Sequence, residues 1–107
     1  MSTISKILGQ EKPAAATDIV LYTVPDGVEA EVNMFLCNQS VDSDKFRIAL
    51  VSSGEALAEK HYIFYDSVIN GNYTVNITGI SLNTGDTIHV YSKNGNISFT
   101  ATGLEVS

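Results

Sequence analysis

The sequence is poor in the residue types that build disulfide, metal and membrane-spanning structures. Among 107 residues there are one cysteine, two histidines, two prolines and no tryptophan. A single cysteine, Cys37, excludes both an internal disulfide and a cluster of thiolate ligands. No stretch approaches the ~20 apolar residues of a membrane span, and the first residues lack the long apolar run of a signal peptide. We therefore expect a soluble protein without a membrane partner, made in a reducing cytoplasm.

Basic residues are also scarce. Lys and Arg number 6 against 12 Asp and Glu, which gives a formal net charge of −6 and a pI near 4.6. Beyond His61 the chain has one Lys or Arg, which is Lys93. An acidic surface without a basic stripe repels a phosphate backbone. We therefore expect no nucleic-acid partner.

The chain is rich, by contrast, in residues that favour β-strands. Val and Ile contribute 10 residues each and Thr 9, against 7 Leu, and β-branched side chains fit a pleated, half-buried surface. From Asp18 onward apolar side chains recur at every second position, most clearly between Val28 and Leu36. Pro25-Asp26-Gly27 and Asn94-Gly95 are strong turn signals between such runs.

These signals predict the fold class. Turns recur at roughly the 8–12-residue spacing of sandwiches and barrels, which leaves room for about seven or eight short strands. The one ambiguous segment, Ser52–Lys60, is long enough for only a turn or two of helix, so the α/β classes are excluded. We predict an all-β protein whose residues 18–107 form a single antiparallel β-sandwich, jelly-roll or immunoglobulin-like. Residues 1–17 are predicted to be an extended N-terminal arm.

No constellation of residues indicates catalysis or a bound cofactor. His61 and His89 lie on separate predicted strands, and a metal site would require them to converge with a carboxylate. Glu29 and Glu31 share a strand face, where their ordinary role is to solvate the sheet. The chain has no glycine-rich phosphate loop, no calcium-binding loop and no nucleophile elbow. We predict a non-enzymatic protein with no catalytic residues, no metal and no cofactor.

Two segments carry apolar side chains that a sandwich interior does not account for. In the predicted arm, such side chains lie in water unless the arm docks on a neighbour, and a disordered terminus is an equal alternative. In the aromatic strand that follows His61, consecutive rings point to opposite faces, so either both faces are covered by the chain itself or one face meets a partner. The predicted partner-binding residues are Ile4, Ile7, Leu8, Tyr62, Phe64 and Tyr65.

Short blocks along the chain carry a family resemblance. In order, they are Leu8-Gly9-Gln10, Leu21-Tyr22-Thr23-Val24-Pro25, Cys37-Asn38, Phe46-Arg47-Ile48, Lys60-His61-Tyr62-Ile63 with Tyr65-Asp66, and Leu82 before Gly85-Asp86 and Val90-Tyr91. Over about residues 8–105 this pattern resembles a family of small virion structural proteins of tailed bacteriophages. Relatives often carry a small apolar residue where this chain has Asp26, a change that the turn tolerates. The resemblance implies a β-sandwich assembled in copies on the particle, with no enzymatic activity and no cofactor.

Together, the residues and the resemblance predict a capsid decoration or cement-like protein. It would bind the assembled particle through non-covalent protein–protein contacts, as a homo-oligomer, and would be located in the virion after synthesis in the host cytoplasm. Its partners would be other virion proteins, either the major capsid protein or tail proteins. A tail, neck or baseplate accessory protein is the first alternative. The second is a carbohydrate-binding module for host surface glycans, with Tyr73 and Tyr91 as candidate residues and the lack of tryptophan against it.

Overall fold

The computed structural model describes residues 2–107. Within that range the chain forms eight strands and one 3-10 turn, Glu59–His61, which is all the helix that the Ser52–Lys60 segment contains. The strands are β1 (Thr3–Glu11), β2 (Ile19–Thr23), β3 (Glu29–Asn38), β4 (Asp44–Val51), β5 (Tyr62–Ile69), β6 (Thr74–Leu82), β7 (Thr87–Ser92) and β8 (Ile97–Val106).

The strands form two four-stranded antiparallel sheets that pack against each other. The first sheet has the order β1-β8-β3-β6 and the second the order β2-β7-β4-β5. This alternation of strands between the sheets is the jelly-roll arrangement of two Greek keys. The predicted all-β class and antiparallel sandwich are therefore confirmed, and the strand order matches the jelly-roll type.

The core lies between the sheets and follows the predicted alternation. On β3, every second side chain is buried, and the intervening side chains are exposed. Each large apolar side chain removed from water contributes about 1.5–3 kcal/mol before entropy is counted. The fully buried apolar side chains include Met34 and Leu36 of β3, Ile48 of β4, Ile88 and Val90 of β7, and Ile97 and Phe99 of β8.

The N-terminal segment differs from the prediction of an arm over residues 1–17. β1 pairs antiparallel with β8 of the same chain, from Thr3 opposite Val106 to Glu11 opposite Phe99. The sandwich therefore includes residues that the prediction placed before its start at residue 18, while Met1 lies outside the described residues. The sequence pattern hides this strand because none of its side chains is buried, so β1 shows no alternation of apolar and polar positions.

A buried carboxylate, Glu105 of β8, ties β1 to the core. Its Oε2 accepts a hydrogen bond of 2.6 Å from the hydroxyl of Tyr22, and its Oε1 lies 2.8 Å from Nζ of Lys6. The hydrogen bonds from Lys6 and Tyr22 lower the pKa of the Glu105 carboxyl below its usual value. One side chain thus connects the edge strand β1 to the second sheet through β2.

A second buried carboxylate, Asp44, organises the turn between β7 and β8. Its oxygens accept hydrogen bonds from the backbone N–H of Lys45 at 2.7 Å and of Asn94 at 3.0 Å. They also accept one from the hydroxyl of Ser92 at 2.7 Å. A buried carboxylate is costly unless such donors replace its contacts with water. Asp44 therefore fixes the Asn94-Gly95 turn that the sequence predicted.

Candidate docking surface

Arg47 lies at the centre of the outer face of the second sheet. On β4 its neighbours Phe46 and Ile48 point into the core, so the Arg47 side chain points outward. Its guanidinium carbon lies 4.2 Å from the ring centroid of Tyr65 and 4.3 Å from that of Tyr91. Such stacking contributes about 0.5–1 kcal/mol per ring at an exposed site. The cation is thereby held by β5 on one side and β7 on the other.

Asp66 completes the positioning of the arginine. Nε of Arg47 donates to Oδ1 of Asp66 at 2.7 Å, and Nη2 donates to Oδ2 at 3.3 Å. Asp66 has a positive φ of 51°, and the pairing of β5 with β4 shifts register beside it, which is how a bulge re-aims side chains. The hydrogen bond from Arg47 lowers the pKa of the Asp66 carboxyl.

Tyr62 extends the surface along β5. Its ring meets that of Tyr65 edge to face, with 5.0 Å between the centroids and 82° between the planes. Desolvation raises the pKa of the Tyr62 hydroxyl. An open concavity of about 400 Å³ is lined by Glu59 and these two tyrosines. We define the aromatic–arginine surface by five residues: Arg47, Tyr62, Tyr65, Asp66 and Tyr91.

Charged side chains of both signs surround this surface. Lys45 and Lys93 lie close enough to Asp66 to help lower its pKa, and the backbone N–H of Lys93 donates to the carbonyl of Lys45 at 2.9 Å. With Arg47, this region holds three of the chain's six basic residues. Acidic side chains lie at the same surface: Asp66 pairs with Arg47, Glu59 lines the concavity, and Asp18 lies close enough to Tyr62 to help raise its pKa. The surface therefore carries charges of both signs, and its charge does not favour an acidic partner.

The predicted partner-binding residues of the N-terminal segment lie at one edge of the first sheet. Ile4 is 52% exposed and Ile7 is 59% exposed, whereas Leu8 is half-buried and packs against the core. Leu8 therefore contributes to the packing of the sandwich, and its role in docking stays a prediction. β1 contacts β2, and β5 forms the opposite edge of the second sheet. The six predicted residues consequently do not form one surface.

The predicted aromatic residues of β5 divide between the two faces. Tyr65 is 58% exposed and Tyr62 is half-buried, and both belong to the aromatic–arginine surface. Phe64 points inward instead, packing against the core with its ring centroid 5.4 Å from that of Phe46. Simple alternation would place Tyr62 on the same face as Phe64. The two register shifts between β4 and β5 break that alternation and bring Tyr62 beside Tyr65.

Sequence reasoning did not predict Arg47 and Asp66 as part of a docking surface, and it named Tyr91 only as a candidate for carbohydrate binding. Alternation alone places Arg47 and Tyr91 outward, but their contact depends on β4 pairing with β7, where the two residues are directly opposite. The alternation of apolar and polar residues along a strand does not indicate which strands are neighbours in a sheet. The positive φ of Asp66 gave no signal either, because no glycine marks that bulge.

The two histidines do not converge. His61 ends the 3-10 turn, where its Nδ1 accepts a hydrogen bond from the N–H of Ala58 at 2.9 Å. His89 lies on β7, with Nδ1 2.8 Å from Oδ2 of Asp18. Within residues 2–107, no three His, Cys, Asp or Glu side chains are grouped so as to hold a metal ion. The same residues include no helix long and apolar enough to cross a membrane.

A scan of the sequence against protein-family models finds no match, and a search of curated proteins finds no relative.

Proposed function

We propose that this protein is a non-enzymatic structural protein of a tailed-bacteriophage virion. It acts as a decoration or cement-like protein that binds the assembled particle in several copies through the aromatic–arginine surface. The observation that carries the proposal is Arg47, held between Tyr65 and Tyr91 and bonded to Asp66 on the outer face of the second sheet.

The physical support comes from how binding energy is distributed in interfaces. Tyr and Arg are enriched among the few residues that dominate protein–protein affinity. Arg47 is already fixed by two rings and a carboxylate, so a partner need not order a flexible side chain on binding. Tyr62 and Tyr65 add a large, rigid apolar area beside it. The surface therefore suits docking on a larger, pre-formed lattice.

The fold is compatible with more than one of the candidate functional classes and does not distinguish between them. Jelly-roll sandwiches occur in viral capsid proteins and in lectins, and a fold by itself does not define a function. The short sequence blocks that resemble phage virion proteins favour the first class. A tail, neck or baseplate position would use the same surface and differ in the number and location of the copies.

The carbohydrate-binding alternative receives less support from the geometry. Arg47 occupies one face of the Tyr91 ring, so that face is not free to stack on a sugar. Tyr73 is 60% exposed, but it lies in the turn before β6, a strand of the other sheet. The two candidate tyrosines therefore do not belong to one platform.

The proposal is tested by sedimenting purified protein with particles of its phage that lack it. Arg47→Ala removes two ring contacts and the ion pair, and we expect at least a tenfold loss of affinity, the effect of a change of about 1.4 kcal/mol. Lys12→Ala, an exposed basic residue in the loop after β1, is the matched control and should bind as the parent does. Lys12→Ala should retain the parent's thermal unfolding, whereas Arg47→Ala should stay folded at the assay temperature with a lower melting temperature, because it loses two ring contacts. Unchanged binding of folded Arg47→Ala would contradict the proposed role of this surface.

A further inference from the structure

The outer edge of β1 is an unpaired sheet edge with a regular backbone. The pairing of β1 with β8 runs without interruption from Thr3 to Ile7, and its one register shift comes after Ile7. The three other edge strands are less regular. β2 is only five residues long and shifts register, β5 shifts twice, and β6 shifts near Gly79, which has a φ of 80°. Bulges and short strands are the usual devices that prevent pairing at an edge.

The orientation of the free backbone groups of β1 follows from its first pair. The N–H and C=O of Ser2 are both bonded to Ser107, at 2.7 and 2.8 Å. In an antiparallel ladder every second residue makes such bonds, so Ile4 and Lys6 also bond to β8. The N–H and C=O groups of the intervening residues therefore point away from β8, and these residues are Thr3, Ser5 and Ile7.

We propose that β1 pairs antiparallel with β1 of a second copy of this chain, in a dimer with a two-fold axis at Ser5. This register places Ser5 opposite Ser5 and Thr3 opposite Ile7 of the second copy. All three residues on each strand then exchange backbone hydrogen bonds, which makes six in total. Shifting the axis to Ile4 or Lys6 leaves only four. The two first sheets would form one continuous sheet of eight strands.

The side chains of β1 are compatible with this pairing. Lys6 is the only charged residue between Thr3 and Ile7, and it is neutralised by Glu105 at 2.8 Å. The Ser5-centred register sets each Lys6 opposite Ile4 of the second copy, so like charges do not meet. Ile4 and Ile7, which are 52% and 59% exposed, would each be partly covered by a cross-strand neighbour of the second copy. The edge is therefore self-complementary in backbone, charge and apolar area.

This inference deepens the proposed function by naming the contact between copies, and it rests on that function only in taking the protein to act in several copies. Failure of dimerisation would leave particle binding through the aromatic–arginine surface untouched. Failure of particle binding would equally leave the dimer in place. The two measurements are therefore independent.

The test is analytical ultracentrifugation of the purified chain at concentrations up to about 1 mM, with backbone amide exchange measured by NMR. We expect a reversible monomer–dimer equilibrium, and concentration-dependent protection of the Thr3, Ser5 and Ile7 amides but not of the free amides of β5. A chain that stays monomeric throughout this range overturns the proposal. Dimerisation with protection at another edge overturns it as well.

Two variants and one control identify the edge. Ser5→Pro removes an N–H that β8 does not use and should raise the dimer dissociation constant at least about tenfold. Ser5→Ala keeps that N–H and should dimerise as the parent does. Ile4→Lys, which places a second cation opposite Lys6, should weaken the dimer by a similar factor without disturbing this exposed site in the monomer. Folded variants that dimerise like the parent would contradict the pairing.

Discussion

At the scale of single residues, two buried carboxylates and one arginine each contact strands that are far apart in the sequence. Arg47 contacts β5 and β7 from β4, and Glu105 connects β1 and β2 from β8. Asp44 connects the start of β4 to the turn after β7. Each of these contacts spans a large separation along the chain. Local patterns therefore could not reveal them, although alternation does indicate which side of a strand Arg47 occupies.

Glu105 should make stability depend on pH. Its folded-state pKa lies below the usual value of 4.5, so its contribution is present above that value and is lost as the pH falls through the folded-state pKa. We expect Glu105→Gln to lower the free energy of unfolding by about 1–2 kcal/mol at pH 7 and by less at pH 3. Urea unfolding at both pH values measures this. Glu29→Gln, at an exposed position on β3, is the control, and an equal loss at both pH values in Glu105→Gln would refute the assignment.

Asp44 should be among the most sensitive polar positions. Asp44→Ala leaves the Ser92 hydroxyl and the backbone N–H groups of Lys45 and Asn94 without their acceptor. Because unsatisfied buried groups cost about 1–3 kcal/mol each, we expect a loss of at least about 3 kcal/mol. Chemical unfolding measures the loss, and Asp42→Ala, at an exposed loop position, should change stability by less than about 0.5 kcal/mol. Equal stability of the two variants would show that the network does not support the turn.

At the scale of elements, prediction succeeded where a strand has one buried and one solvent face. β3 is the clearest case, because its ten residues alternate without a break. Alternation did not reveal β1, which pairs along its length with β8 and whose side chains are all exposed or half-buried. It also failed within β5, where two register shifts send Tyr62 and Phe64 to different faces. An alternation of apolar and polar residues indicates a strand with one buried face. It therefore does not reveal a strand without buried side chains, nor the direction of side chains where the pairing is irregular.

Gly9 should control how closely β1 approaches the second sheet. A β-carbon at this position would lie 2.3 Å from the carbonyl oxygen of Leu21, so alanine forces β1 and β2 apart. We expect Gly9→Ala to destabilise the protein by about 1–3 kcal/mol and to increase amide exchange in β1. Gln10→Ala, on the exposed side of the same strand, is the control. Parent-like exchange in Gly9→Ala would show that the close approach does not hold β1.

At the scale of the whole molecule, the jelly roll separates the surface proposed for docking from the edge proposed for pairing between copies. The aromatic–arginine surface is on the second sheet, and the free β1 edge belongs to the first sheet. The β-sandwich could be predicted from strand-forming composition and turn spacing. The candidate site could be predicted only as far as Tyr62 and Tyr65, because the rest depends on strand order. A dimer joined at β1 would present two copies of the docking surface, which increases avidity when both reach the particle.

The proposed role in the virion is tested by the copy number of this chain in gradient-purified phage particles. Quantitative mass spectrometry gives this number for the parent, Arg47→Ala and Lys12→Ala. We expect a fixed number of copies per particle for the parent and for Lys12→Ala, and strong depletion of Arg47→Ala despite equal expression. Many copies would indicate decoration of the capsid, and few would indicate a tail or neck position. Absence of the parent chain from purified particles would contradict the proposed role in the virion.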